Sequence, residues 1–119
     1  MSYVDGYVIP VPAENKDVYK KMALRAWPVF KEFGAMHLVE CWGDDIHDGK
    51  LTDFKRAVAA QSGEQVVFSW VVWPSKDVRD AAHKKIFEDP RMKSLGDMPF
   101  DGKRMIIGGF DILVEESAG

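Results

Sequence analysis

The fold is decided by one apolar stretch of the sequence, which reads Val66-Val67-Phe68-Ser69-Trp70-Val71-Val72-Trp73. Valine and aromatic side chains favour strands, and Pro74 directly after the stretch ends it. Side chains alternate between the two faces of a strand, so a strand that is apolar at nearly every position must be buried on both faces. We therefore predict that 66–73 is a strand without a solvent-facing side. It is too short to cross a bilayer.

The remaining elements follow from hydrophobic periodicity and from the residues that start and stop helices. We predict a strand over 3–11, a helix over 16–33, a strand over 35–43, the strand over 66–73, a helix over 76–88 and a strand over 104–114. Asn15 and Ser75 are placed to cap the two helices, and Gly34 is placed to end the first one.

The segment 54–60 is ambiguous, because Phe54 and Val58 fit the spacing of a helical turn and also the alternation of a strand. We favour a strand, since the polar residues 61–64 are typical of a hairpin loop that leads into 66–73.

The element order β-α-β-β-α-β predicts a single α+β domain over residues 1–119 with the ferredoxin-like arrangement. In this fold two helices cover one face of a four-stranded antiparallel sheet. The strand 66–73 is apolar on its other face too, and no residues remain to cover that face. The simplest cover is a second copy of the same sheet, so we predict a homodimer.

The charge balance excludes several kinds of partner. The chain has 16 Lys and Arg against 19 Asp and Glu, a formal charge of -3, and its basic residues are scattered. We therefore expect no nucleic-acid partner and no membrane partner. Cys41 is the only cysteine, which excludes an internal disulfide and a zinc site built from thiolates. A reducing, cytoplasmic location fits best.

The sequence resembles the bacterial YbaA-like family of unknown function over nearly its whole length. The stretches that carry this resemblance are Tyr3-Val4-Asp5-Gly6-Tyr7-Val8, Phe30-Lys31-Glu32-Phe33-Gly34-Ala35, Val39-Glu40-Cys41-Trp42-Gly43-Asp44-Asp45, Val66-Val67-Phe68-Ser69-Trp70, Trp73-Pro74-Ser75-Lys76, Asp89-Pro90-Arg91 and Met98-Pro99-Phe100-Asp101-Gly102-Lys103-Arg104-Met105. The family resembles the dimeric α+β barrels, in which two ferredoxin-like sheets face each other. The resemblance implies this fold and no particular activity, because that superfamily includes cofactor-independent oxygenases, isomerases, heme-handling proteins and plain ligand binders.

Strand alternation predicts a binding site between the two sheets. The small aliphatic side chains of the first two strands suit packing against helices, so the opposite rows are expected to line the space between sheets. The predicted ligand-binding residues are Asp5, Tyr7, Glu40, Trp42, Phe68 and Trp70. Aromatic walls with a few polar groups are typical of small-molecule sites, and a carboxylate among aromatics has a raised pKa that suits acid or base catalysis. Asp5 and Glu40 are therefore the catalytic candidates. Alternatively, these carboxylates only pair with a cation such as Arg104.

Two other constellations are weaker. The acidic loop holds Asp44, Asp45, His47, Asp48 and Asp53, but it fails the calcium-loop template, and we interpret it as a solvated turn without metal. His37 and Cys41 share one side of a strand but lie about 13 Å apart, too far for direct proton transfer. We expect His37 to be buried against the helices rather than placed to hold heme. We predict no cofactor and no metal.

Three functions remain open from the sequence. The first is a homodimer that binds a small molecule between its sheets. The second is a cofactor-independent oxygenase-like or isomerase-like enzyme that uses a barrel carboxylate. The third is an accessory dimer whose interior is filled by its own side chains.

Overall fold

The computed structural model describes residues 2–119. These residues form one four-stranded sheet and the helices that pack on it. Its strands are β1 (Tyr3–Pro12), β2 (His37–Trp42), β3 (Glu64–Trp73) and β4 (Ile106–Asp111). Its helices are α1 (Lys16–Glu32), α2 (Phe54–Ala57), α3 (Lys76–Glu88) and α4 (Pro90–Lys93), with a single 3-10 turn at Ala13–Asn15. The strands pair antiparallel in the order β2-β3-β1-β4. This order confirms the predicted ferredoxin-like α+β fold.

The two long helices begin in different ways. Ser75 caps α3 as predicted, because its hydroxyl accepts a hydrogen bond from the Val78 amide at 3.2 Å. Asn15 does not cap α1 with its side chain; it donates instead to the carbonyl of Pro99 at 3.0 Å. This bond ties the start of α1 to a segment more than eighty residues away. Gly34 follows α1 with a φ of 114°, a conformation that favours glycine.

The predicted strand over 54–60 is wrong. The carboxylate of Asp53 accepts hydrogen bonds from the Arg56 amide at 2.7 Å and from the Gly49 amide at 3.1 Å. The bond from Arg56 satisfies an amide that the first turn of a helix leaves free and stabilises the short helix α2, and the bond from Gly49 joins the preceding loop to the same carboxylate. The helix lies on β3, where the rings of Phe54 and Phe68 meet edge to face with centroids 6.0 Å apart.

β3 is buried by the helices on one face only. Val67, Ser69, Val71 and Trp73 are each 2% exposed or less. They lie on the side of the sheet that α1 and α3 cover, where most of the core packs. The alternate residues point the other way, and Phe68 is 45% exposed. We predicted that both faces of this strand are buried. Within one chain, the helices bury only one of them.

The uncovered side of the sheet is called the open face here. Cross-strand pairing places sixteen residues on this side of the sheet. Pro10, Pro12, Glu64 and Val66 lie at one end of it, and the other twelve are Val4, Gly6 and Val8 of β1, His37, Val39 and Cys41 of β2, Phe68, Trp70 and Val72 of β3, and Ile106, Gly108 and Phe110 of β4. Among these twelve, His37 has the only ionisable side chain other than the thiol of Cys41. Segment 53–58 covers one end of the open face, where Val58 and Val66 are buried. No helix among residues 2–119 has the length and apolar character needed to span a bilayer.

Candidate functional site

The structure divides the predicted ligand-binding residues between the two sides of the sheet. Those on the helix side are Asp5, Tyr7, Glu40 and Trp42, and those on the open face are Phe68 and Trp70. The prediction that all six border one space between two sheets is therefore wrong. Strand alternation was correct, and Phe68 and Trp70 lie away from the helices as predicted, but the rows of β1 and β2 were assigned to the wrong sides. That these residues bind a ligand stays a prediction.

Asp5 faces the helices because α3 supplies its counter-charge. Its side chain is 0% exposed, and one carboxylate oxygen accepts hydrogen bonds from Nε and Nη2 of Arg79 at 2.9 and 2.7 Å. The other oxygen accepts from Nε1 of Trp73 at 3.0 Å and lies 2.9 Å from Nε2 of His83. Every oxygen of this carboxylate is occupied. Asp5 is thereby paired, as the alternative interpretation required, but with Arg79 rather than Arg104.

Arg104 serves a different contact. Its guanidinium donates to both carboxylate oxygens of Glu64, at 2.6 and 2.7 Å, and to Asp101 at 3.0 Å. These bonds fix the segment before β4 against the start of β3. Arg104 therefore holds the fold together and does not neutralise a carboxylate of the candidate site.

A cleft of about 710 Å³ lies between α1 and the edge strand β2. We call it the Glu40 cleft. Its lining includes Lys16, Lys20, Leu24, Trp27, Glu40 and Trp42. Two of the predicted residues, Glu40 and Trp42, thus border a common cavity, although it lies beneath the helix layer rather than between two sheets.

Glu40 provides the acidic group of this cleft. Its Oε1 accepts a hydrogen bond of 2.6 Å from the hydroxyl of Tyr19, a residue of α1 that is 5% exposed. Glu40 is an exposed residue of the edge strand. The protein on the cleft side of its carboxyl partly desolvates it and raises its pKa, while hydrogen bonds with the hydroxyls of Tyr19 and Ser69 lower it. Burial and the neighbouring Glu40 likewise raise the pKa of Tyr19. A carboxyl with a raised pKa beside a phenol is a pair suited to exchanging a proton or a hydrogen bond with a bound molecule.

The walls of the cleft are aromatic and well supported. The ammonium group of Lys16 lies 5.4 Å from the ring centre of Trp42, within the range of a cation–π contact. Behind the cleft, the rings of Tyr19 and Phe100 pack with centroids 5.9 Å apart. The bond from Asn15 to Pro99 holds Phe100 in the same region. Tyr19 is therefore fixed by packing on one side and by Glu40 on the other.

The sequence interpretation missed the contribution of α1 to the site. The apolar periodicity of this helix predicts one buried face made of Val18, Met22, Ala26, Val29, Phe30 and Phe33. Val29 is buried, but Val18 is 55% exposed, and Tyr19 and Ala23 are buried instead. The spacing of Tyr19, Ala23 and Trp27 at four-residue intervals also fits a helical face, and it was the available signal.

His37 and Cys41 are not where they were expected. Both lie on the open face and are exposed, so His37 is neither buried nor directed at the helices. The reason is the same as for Asp5 and Glu40: we assigned the two rows of side chains on this strand to the wrong sides of the sheet. The orientation argument against a heme ligand at His37 therefore no longer applies.

The acidic loop keeps its polar groups on one another and on the backbone. His47 and Asp45 lie 2.9 Å apart at the surface, and Asp53 caps α2. Between residues 2 and 119, no three side chains of His, Cys, Asp or Glu converge in a way that could hold a metal ion.

The sequence matches one protein family and several relatives along most of its length. Residues 2–102 match the family described as "Protein of unknown function (DUF1428)". The uncharacterised protein YbaA of Escherichia coli K12 is 60% identical over 117 residues, which cover 98% of this chain and 100% of YbaA.

Solved structures of low sequence identity share the fold. A NIPSNAP domain protein from Burkholderia xenovorans superposes with a TM-score of 0.58 at 14% identity, covering 98% of this chain and 97% of that one. SnoaB, a cofactor-independent oxygenase from Streptomyces nogalater, superposes with a TM-score of 0.57 at 13% identity, covering 96% of this chain and 95% of that one. At these identities the superpositions show a shared fold. With its close relatives and its matching family model, the chain belongs to the YbaA-like DUF1428 family of proteins of unknown function.

Proposed function

We propose that this protein binds a small, partly apolar molecule in the Glu40 cleft. The observation that carries the proposal is the cleft itself, whose volume of about 710 Å³ lies within the range of small-molecule sites. Its walls offer the indole rings of Trp27 and Trp42, and Glu40 with Tyr19 offers one polar point to orient a ligand. A cavity of this kind favours the binding function over an interior filled by side chains.

The binding proposal is tested by obstructing the cleft. Leu24 lines the cleft and is 64% exposed, so Leu24→Trp adds bulk there without disturbing the core. Leu113→Trp is the matched control, since Leu113 is 95% exposed and lies outside the cleft. We expect 1-naphthol and related planar aromatic molecules to raise the thermal midpoint of the wild type and of the control. The shift should be lost in Leu24→Trp, and an equal shift in all three proteins would refute binding in the cleft.

We further propose that a second copy of the chain covers the open face. Trp70, Phe68 and Phe110 place aromatic rings on this face, and Phe68 and Phe110 are 45% and 58% exposed. Contiguous exposed apolar side chains are typical of protein interfaces. The resemblance of the family to the dimeric α+β barrels, in which two sheets face each other, supports the same arrangement. The homodimer would then present two Glu40 clefts, one in each protomer.

Sedimentation velocity tests the homodimer. Trp70→Glu places a charge at the centre of the open face and should give a monomer at micromolar concentration, because a buried unpaired carboxylate is strongly unfavourable. Leu51→Glu is the control, since Leu51 is 95% exposed and lies off this face. A wild-type protein that sediments as a monomer would contradict the proposal.

A second candidate function is proton transfer by Glu40, as a cofactor-independent enzyme of oxygenase or isomerase type. The short bond between Tyr19 and Glu40 and the raised pKa of Glu40 favour it. SnoaB, which shares the fold, is described as a cofactor-independent oxygenase, although at 13% identity it offers an analogy only. Asp5 is the weaker candidate base, because Arg79, Trp73 and His83 occupy its oxygens.

Deuterium exchange separates the enzyme from the binder. The α-carbon of benzoylacetone is acidic, so a base in the cleft should accelerate its exchange with heavy water. Glu40→Gln keeps the shape of the side chain and removes its basicity. We expect exchange to fall at least about a hundredfold in this variant while binding of benzoylacetone persists. Binding without any acceleration by the wild type would favour the pure binding function.

A further inference from the structure

We propose that the molecule held in the Glu40 cleft is an elongated amphipathic anion. Its charged group lies against Lys16 and Lys20, and its apolar body extends towards Leu24 and Trp27. This inference rests on the proposed binding function, because it names the class of ligand for the same cleft.

The wall that α1 gives to the cleft changes character along its length. Lys16 and Lys20 stand one turn apart, and Leu24 and Trp27 continue the same stripe on the following turns. With a rise of 1.5 Å per residue, the stripe from Lys16 to Trp27 is about 16 Å long. A ligand that uses the whole wall is therefore elongated and carries its charge at one end.

The basic end is free to receive an anion. Neither Lys16 nor Lys20 forms an ion pair with any residue between 2 and 119, whereas Lys76 of α3 pairs with Asp80 at 3.0 Å. The Lys16 ammonium group is held near the ring of Trp42 instead. Two unpaired ammonium groups on one side of a cleft can donate to the same carboxylate, sulfate or phosphate group.

The other titratable groups that line the cleft are Asp17, Tyr19, His37, Glu40 and Cys41. Asp17 sits in the first turn of α1, where the helix dipole favours its charge. Glu40 lies on the β2 side of the cleft and is held by the hydroxyl of Tyr19. On the α1 wall the two lysines outnumber the one carboxylate, Asp17, so that end of the cleft carries a net positive charge.

The opposite end is apolar and still exposed. Leu24 is 64% exposed and Met36 is 58% exposed, and both border the cleft beside Trp27. Covering these side chains with a hydrocarbon or ring system removes apolar surface from water, which stabilises the complex. The cleft thus offers two ammonium groups at one end and an apolar surface at the other.

Calorimetric titration with three probes of equal chain length tests the class of ligand. The probes are dodecanoate, 1-dodecanol and dodecyltrimethylammonium, each used below its micelle concentration. We expect dodecanoate to bind about tenfold more tightly than the alcohol and the cation to bind most weakly, since charge-assisted hydrogen bonds exceed neutral ones. The variant Lys16→Ala/Lys20→Ala should weaken dodecanoate about tenfold and leave dodecanol within about twofold.

The matched control is Lys21→Ala/Lys31→Ala, which removes two exposed lysines of α1 that do not line the cleft. It loses the same net charge and should bind dodecanoate as the wild type does. Equal affinity for all three probes, or equal weakening in both double variants, would overturn the anion inference. If 1-naphthol still binds and Leu24→Trp still blocks it, the proposed function survives that result. If neither 1-naphthol nor dodecanoate binds, both proposals fail.

Discussion

The buried carboxylate of Asp5 on β1 receives two hydrogen bonds from the guanidinium of Arg79 on α3, although the two residues are 74 positions apart in the sequence. Trp73 and His83 complete the set of partners. This cluster joins the central strand of the sheet to the helix layer. Each oxygen of the Asp5 carboxylate has at least two neighbouring groups that can donate a hydrogen bond to it, so none is left without a partner.

Substituting Asp5→Asn should destabilise the protein by about 3 kcal/mol, because the change removes one charge of a buried pair and leaves Arg79 without compensation. Arg79 retains some exposure and one bond to Asp80, which limits the loss. Urea unfolding followed by tryptophan fluorescence measures the difference. Asp45→Asn is the surface control and should leave the midpoint unchanged. An Asp5→Asn protein as stable as the wild type would show that the cluster contributes little.

Replacing Glu40 should alter how stability depends on pH. The folded protein raises the pKa of Glu40 above its ordinary value of 4.5, so folding favours the neutral carboxyl. The wild type therefore loses stability as pH rises from 4.5 through the raised pKa, and then levels off. Glu40→Gln lacks this titration, so its stability relative to the wild type should increase over that interval and stay constant above it. A difference between the two proteins that does not vary with pH would refute the raised pKa.

Removing the Tyr19 hydroxyl should raise the pKa of Glu40 further, because the hydrogen bond from Tyr19 favours the charged carboxylate. The variant Tyr19→Phe keeps the ring that packs on Phe100. Carbon-13 NMR of labelled glutamate can follow the titration of Glu40 directly. Tyr3→Phe provides a comparison, since Tyr3 is a core tyrosine that packs beneath Arg79, away from Glu40. A pKa of Glu40 that falls in Tyr19→Phe would contradict the assigned role of the hydroxyl.

The pair of Glu64 and Arg104 should make the protein sensitive to acid. Hydrogen bonds from Arg104 hold the pKa of Glu64 below its ordinary value of 4.5. This pair therefore stabilises the fold above pH 4.5, and the stabilisation is lost as pH falls through the lowered pKa. Glu64→Gln should be less stable than the wild type at pH 7, and the gap should close in acid. Thermal unfolding at a series of pH values checks this, and a gap that widens in acid would speak against it.

The alternation of residues in the sequence predicted the strands of the sheet, but it did not predict which side chains of β1 and β2 face the helices. The stretch 66–73 lies at the centre of the sheet as expected, and Ser75 caps the helix that follows it. The rows of β1 and β2 were reversed because we placed their small aliphatic side chains against the helices. Asp5 instead faces the helices, where Arg79 neutralises it, and Glu40 faces them beside Tyr19, which donates to it. Such partners are distant in the sequence, so strand alternation cannot reveal them.

The segment 54–60 shows a second limit of sequence interpretation. Phe54 and Val58 fit a strand and a helical turn equally well, and the choice depends on the residue before them. Asp53 decides it, since a carboxylate that accepts from the Arg56 amide stabilises a turn. A capping residue directly before an ambiguous apolar pair is therefore a stronger signal than the hairpin-like loop that follows it.

The position of β1 in the sheet has a consequence for how the chain folds. This strand precedes both of its neighbours, β3 and β4, which lie more than fifty residues further along the chain. During synthesis, β1 is without its partner strands until β3 and β4 have been made, and its unpaired backbone groups can then form hydrogen bonds with other chains. Two prolines, Pro10 and Pro12, lie at one end of β1 and lack the amide hydrogens that such pairing uses. The nascent strand is thus partly protected until Val66 and its neighbours arrive to pair with it.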